Sequence, residues 1–135
     1  MKQFYLLAIS AISLGLNAQN IVFADSSLKN NLLISSPTNG IAQNFSGANV
    51  AIDANDDNEI QISEALLIRS LNLGHPGIDD LGGIGYFTNL QFLNCTGMVA
   101  LHADLSGLVS LKNLTYANHL HWSLSIFRIY LRLNM

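Results

Sequence analysis

The hydrophobic pattern changes character four times along the chain. Residues 4–16 are apolar apart from Ser10, Ser13 and Gly15. Leu28, Leu32 and Leu33 then recur at helical spacing behind Asp25 and Ser26. This predicts a short helix over 25–33, with Asp25 or Ser26 as its N-cap. The stretch Ser35-Ser36-Pro37-Thr38-Asn39-Gly40 is a loop by composition. Val50 and Ile52 lead into a polar run over 53–64, and from Ile68 onward apolar positions alternate and repeat.

The repetition is specific. Ile68-Arg69-Ser70-Leu71-Asn72-Leu73 aligns with Leu90-Gln91-Phe92-Leu93-Asn94-Cys95 and with Leu114-Thr115-Tyr116-Ala117-Asn118-His119, the starts lying 22 and then 24 residues apart. The intervening arms align as well: Leu81-Gly82-Gly83-Ile84 with Leu105-Ser106-Gly107-Leu108, and Phe87-Thr88-Asn89-Leu90 with Leu111-Lys112-Asn113-Leu114. The period and the L-x-x-L-x-L pattern are those of leucine-rich repeats. A single repeat cannot bury its apolar face, so repeats must stack. The predicted fold is therefore an α/β solenoid of two or three repeats over 68–120, behind an N-terminal helical cap over 19–67.

Alternation sends Leu71, Leu73, Leu93 and Cys95 inward. Three outward columns result on a concave sheet: Ser70-Phe92-Tyr116, Asn72-Asn94-Asn118 and Gly74-Thr96-Leu120. The aromatic pair Phe92 and Tyr116 reads either as a binding anchor or as ordinary cross-strand packing. Cys95 reads as a small buried hydrophobe. In the third repeat Ala117 and His119 take the inward places, and the tail 121–135 contains no acid, no Gly and no further repeat. It reads as a truncated or frame-shifted end, or as a capping segment of unusual composition. His119 and His121 alternate on one side of a strand, with no third ligand nearby for a metal.

The first eighteen residues have the form of an export signal: Lys2, the apolar run, then Ala18 before Gln19. The run is short of the roughly 20 residues that span a bilayer; the alternative is an uncut N-terminal anchor. Cleavage at 18 takes the net charge from −3 to −4. The remaining chain has no basic patch to meet phosphate, which excludes nucleic acid as a partner. A single Cys rules out an internal disulfide, and a small exported domain then needs another staple, such as a metal. Asn44-Phe45-Ser46 is a glycosylation sequon by pattern only.

Five of the nine acids lie between Asp53 and Glu64. Numbered as a twelve-residue calcium loop of the EF-hand or dockerin kind, the stretch puts Asp53, Asn55 and Asp57 at positions 1, 3 and 5. Glu59 falls at position 7, where the backbone carbonyl ligates. Gln61 falls at position 9, often bridged by water, and Glu64 at position 12, the bidentate carboxylate. A hard cation wants six to eight oxygens, and a tight loop turns alternate residues inward to supply them. Position 6 is Asn58 rather than Gly, and Asn tolerates the left-handed backbone needed there. The competing readings are an Asx-rich turn leading into a helix capped by Ser63, and a paired-carboxylate acid/base site.

These motifs together resemble internalin-like leucine-rich-repeat surface proteins, exported by bacteria that use a C-terminal sorting domain. The resemblance rests on Phe23-Ala24-Asp25 with Leu28-Lys29, on the whole of 52–65, and on the repeats with Leu93-Asn94-Cys95. It implies an adhesion-type module at the cell surface that binds a protein or glycan, holds Ca²⁺ and does no chemistry in its repeats. The chain has fewer repeats than such proteins and shows no sorting domain, so it reads as a truncated member. The alternatives are the remnant of a larger exported protein or hydrolase, and a non-functional fragment.

Overall fold

The structure, a computed structural model, describes residues 19–98 and 103–116. Helix α1 spans Ser26–Leu33. Asp25 is its N-cap, and the Ser27 N–H donates to Asp25 Oδ1 at 2.7 Å. The predicted stripe faces inward, with Leu28 and Leu32 fully buried and Leu33 partly so. Strand β1 follows at Ala42–Asn44, helix α2 at Ile62–Ala65, and strands β2, β3 and β4 at Ile68–Asn72, Phe92–Asn94 and Asn113–Thr115. The N-cap of α2 is Gln61, not Ser63. Ser63 lies inside the helix and is exposed, while Glu64 Oε2 reaches back to accept the Gln61 N–H at 3.0 Å.

The expected α/β leucine-rich-repeat solenoid with a helical cap is not what these elements build. They form one open, mixed, four-stranded sheet in the order β1-β2-β3-β4. β1 pairs antiparallel with β2, and β3 and β4 add in parallel. Two causes are visible. The segment assigned to a helical cap supplies the first strand, with the fully buried Ala42 opposite Leu71. The arm after β2 carries no α-helix: Gly74, Pro76, Gly77, Gly82 and Gly83 break any helical run, leaving turns and one 3₁₀ turn at Ile84–Tyr86.

Between β2 and β3 the 22-residue offset holds: Ser70 faces Phe92, Leu71 faces Leu93, and Asn72 faces Asn94. Leu71, Leu73, Leu93 and Cys95 are all buried, as alternation requires. The third strand departs from the expected register. Leu114, not Ala117, lies opposite Leu93, and Thr115 lies opposite Asn94. Leucine removes more apolar surface from water than alanine at the same place, so the strand seats on its leucine. Tyr116 is thereby taken out of the Phe92 column and packs partly buried against the core. Residues 1–18, Ala117, Asn118, His119, Leu120 and the 121–135 tail lie outside the described residues.

The core runs beneath the sheet without a break, from Leu28, Leu32, Ile52 and Ile60 through Leu71 and Leu93 to Phe87, Leu90, Leu105 and Leu108. Residues 19–25 cross it as a strap. Ile21 is buried, and its N–H donates to the Ile60 carbonyl at 2.8 Å; the Ile62 N–H donates to the Gln19 carbonyl at 3.0 Å. Further along, the Ala24 N–H donates to the Gly82 carbonyl at 3.2 Å. Asp25 Oδ2 accepts the N–H groups of Asp79 and Asp80 at 2.6 and 3.2 Å. Gly83 has φ of +103°, and a Cβ there would sit 2.8 Å from the Phe23 ring. Only glycine combines that backbone with that approach.

Candidate functional site

The acidic loop is shaped by its own side chains. Asp53 accepts the Asp57 N–H on Oδ1 at 3.2 Å and the Asn58 N–H on Oδ2 at 2.9 Å. Asn55 Oδ1 accepts the same Asp57 N–H at 3.2 Å, and Asp57 Oδ1 accepts the Glu59 N–H at 2.9 Å. Each is a short-range side-chain-to-backbone bond of the kind Asp and Asn favour in turns. Asp56 and Asn58 take positive φ, 60° and 62°. Position 6 therefore has the left-handed backbone that the sequence required of Asn58.

Positions 3, 5 and 9 come together. Asp57 Oδ2 accepts from Asn55 Nδ2 at 3.0 Å and from Gln61 Nε2 at 2.8 Å, and Asn55 Nδ2 lies 3.3 Å from Gln61 Oε1. The Glu59 N–H, these two amides and the nearby charge of Lys29 hold the Asp57 carboxyl below its ordinary value, the N–H being the strongest cause. Glu64 closes the loop from the other end: it is buried, Oε1 accepts the Ala54 N–H at 2.8 Å, and Oε2 takes the Gln61 N–H. The side chain of Glu59 turns away to Lys29 on α1, with Oε1 2.8 Å from Nζ.

The donor chemistry fits a hard divalent cation. Asp53, Asn55, Asp57, Gln61 and Glu64 all offer side-chain oxygen, and the Glu59 backbone offers a carbonyl. Among the described residues, no group of three or more His, Cys, Asp or Glu side chains is set to hold a metal ion. Asp57 and Glu64 instead commit carboxylate oxygens to N–H donors.

On the sheet, Ser70 and Phe92 share one row and Asn72 and Asn94 the next, as predicted. Asn113 and Thr115 stand where Tyr116 and Asn118 were expected. The Arg69 guanidinium lies 5.0 Å from the centre of the Phe92 ring, and its Nε donates to Gln91 Oε1 at 3.2 Å. Asn94 Oδ1 accepts both the N–H and the hydroxyl of Thr96. Cys95 is buried, and burial pushes its thiol up to about 12, so it is no nucleophile at neutral pH.

Three features carried no sequence signal. The Lys29–Glu59 ion pair joins residues thirty apart, and Asn20 accepts from the buried Gln61 side chain at 3.2 Å. An apolar groove of about 440 Å³ opens beside the loop, between Phe45, Val50, Leu67 and Ile68. No periodicity or motif links these residues to one another across the chain; the chain's path alone brings them together. Among the described residues no helix is long and apolar enough to cross a membrane. No family model, no curated protein and no solved structure matches this chain.

Proposed function

We propose that the chain is an exported, non-enzymatic binding module acting at or outside a bacterial cell surface. One Ca²⁺ in the 53–64 loop serves as its structural staple, and a protein or glycan ligand meets the two sheet rows of Ser70 with Phe92 and Asn72 with Asn94. The reading rests on the resemblance of 23–29 and 52–65 to surface proteins and no longer on a repeat-array architecture.

The observation that supports the reading most is the loop's own turn. Oxygen side chains stand at alternate positions of a backbone that turns left-handed at Asp56 and Asn58, and three of them meet around Asp57 and Gln61. The side chains of Asp53, Asn55, Asp57 and Glu64 would hold the ion, with the Glu59 carbonyl and a water near Gln61. When bound, the ion supplies positive charge that offsets five acids held within twelve residues. Exported modules bind calcium at roughly 10⁻⁴–10⁻³ M.

Titration calorimetry of the purified chain with Ca²⁺, and in parallel with Mg²⁺, tests this. One saturable Ca²⁺ site, abolished by Asp53→Ala, is expected. No heat beyond dilution reduces the stretch to a solvated Asx turn closed by its own hydrogen bonds. Export is tested separately by the N-terminus of the protein recovered outside the cell, expected at Gln19.

A further inference from the structure

The strap bears on what happens to the first residue after the leader is removed. Gln19 is exposed, and its carbonyl takes the Ile62 N–H at 3.0 Å. Its side-chain amide makes no hydrogen bond among the described residues. The next two residues are tied down: Asn20 bridges to Gln61 in an antiparallel pair and accepts from its side chain at 3.2 Å, and Ile21 is 3% exposed with its N–H on the Ile60 carbonyl.

We propose that Gln19, once it is the N-terminal residue, cyclises to pyroglutamate, so that the exported protein carries a blocked, uncharged N-terminus. The inference rests on the export reading, with the cut after Ala18. The α-amine nitrogen attacks the side-chain amide carbon of the same residue. A C–N bond forms to close a five-membered lactam, the bond from that carbon to Nε2 breaks, and one amine proton leaves with the departing nitrogen as ammonia. No oxidant or reductant takes part.

The structure favours this outcome in two ways. An exopeptidase must draw the first residues into an extended, released conformation, and the pairing of 19–21 with 60–62 opposes that. Gln19 therefore persists at the terminus long enough for a slow reaction. The lactam also retains the Gln19 backbone carbonyl, so the bond from Ile62 survives. The only groups consumed are the amine and the side-chain amide, which make no hydrogen bond among the described residues. Cyclisation removes a positive charge next to Asn20, whose side chain leads through Gln61 to Asp57.

The test is the intact mass and N-terminal sequence of the full chain, expressed with its own leader in an exporting bacterium and recovered from outside the cell. The expected mass is that of 19–135 less one ammonia. Sequencing should be blocked until pyroglutamyl aminopeptidase, applied to the denatured chain, exposes Asn20, and Gln19→Ser should give an open N-terminus directly. A chain that starts at Gln19 with a free amine after prolonged incubation at neutral pH overturns the cyclisation and leaves the cut standing. A chain that starts at Met1, or at any residue other than Gln19, overturns both.

Discussion

In the 53–64 loop, Asp53, Asn55 and Asp57 close their turns onto N–H groups no more than five residues away. In the sheet, Leu71 meets Leu93 and Leu93 meets Leu114 across more than twenty residues each time. The loop obtains its shape from polar side chains that remain near water, so its conformation depends little on the rest of the molecule. The sheet obtains its shape from apolar burial, and no piece of it stands without the others. A local polar device and a long-range apolar one thus lie side by side, joined by Glu64, a buried residue of α2 that also caps the loop.

The first prediction strikes the apolar side and carries the largest effect. Phe87 is fully buried in the core, and Phe87→Ala should cost about 3–5 kcal/mol. Urea denaturation would show it as a large fall in the midpoint, or as a chain already unfolded. A loss under about 1 kcal/mol would mean that the core is not continuous there.

The polar side should answer to calcium instead. At tenfold excess over the dissociation constant, one bound ion adds about 1.4 kcal/mol. Melting curves in millimolar calcium and in chelator should separate accordingly. Glu64→Gln should bring them together, and Asp79→Ala should leave the separation intact. Superimposed curves for the unaltered chain would leave the loop with its hydrogen bonds alone.

Asp25 joins the start of α1 to the arm after β2. The Asp79 N–H chiefly, with those of Ser27 and Asp80, lowers its carboxyl below the ordinary 3.8. A carboxylate with a lowered folded-state value stabilises the fold fully above 3.8, and that contribution fades as the pH falls from there toward the folded value. Asp57 and Asp104 are lowered as well and act in the same window. Asp25→Ala should cost about 1 kcal/mol at neutral pH, the usual worth of a helix N-cap, and less as acid is added. Urea midpoints at pH 7 and pH 3 would check both; an equal loss at the two pH values would show that the charge plays no part.

The smallest effect belongs to the Lys29–Glu59 pair, whose side chains remain about a third exposed. Lys29→Met should cost under about 1 kcal/mol and lose most of that in high salt. A salt-independent loss would point to packing by the lysine stem.

The same division decides what the sequence revealed. Asp25 as cap, Leu28 and Leu32 as the inward stripe, and Asn58 as the left-handed position are local choices that neighbouring residues dictate. Ser70 over Phe92 and Asn72 over Asn94 were legible because two apolar arms of equal length fix that offset. β1 was not, since Ala42-Gln43-Asn44 has no β pattern and is a strand only because β2 offers it an edge. The third strand misled through its own alignment: Leu114 matched Leu90 by motif, yet the core accepted it opposite Leu93. Gln61 displaced Ser63 as cap because Glu64 lies three residues after it and can reach its N–H. The solenoid expectation failed for a related reason. Periodicity describes repeated strands equally well in a stacked array and in an open sheet, and it carries no information about the antiparallel strand at one edge.

The order β1-β2-β3-β4 has a consequence for how the chain emerges during synthesis. Each strand lies beside the one made just before it, so β2, β3 and β4 each find their partner already present, while the strap over 19–25 waits for 60–62 and 79–82. The acidic loop and its strap are complete before β3 leaves the ribosome. Folding can therefore proceed from the N-terminal end as fast as residues appear, and the sheet edge that is exposed at any moment is only the most recent strand.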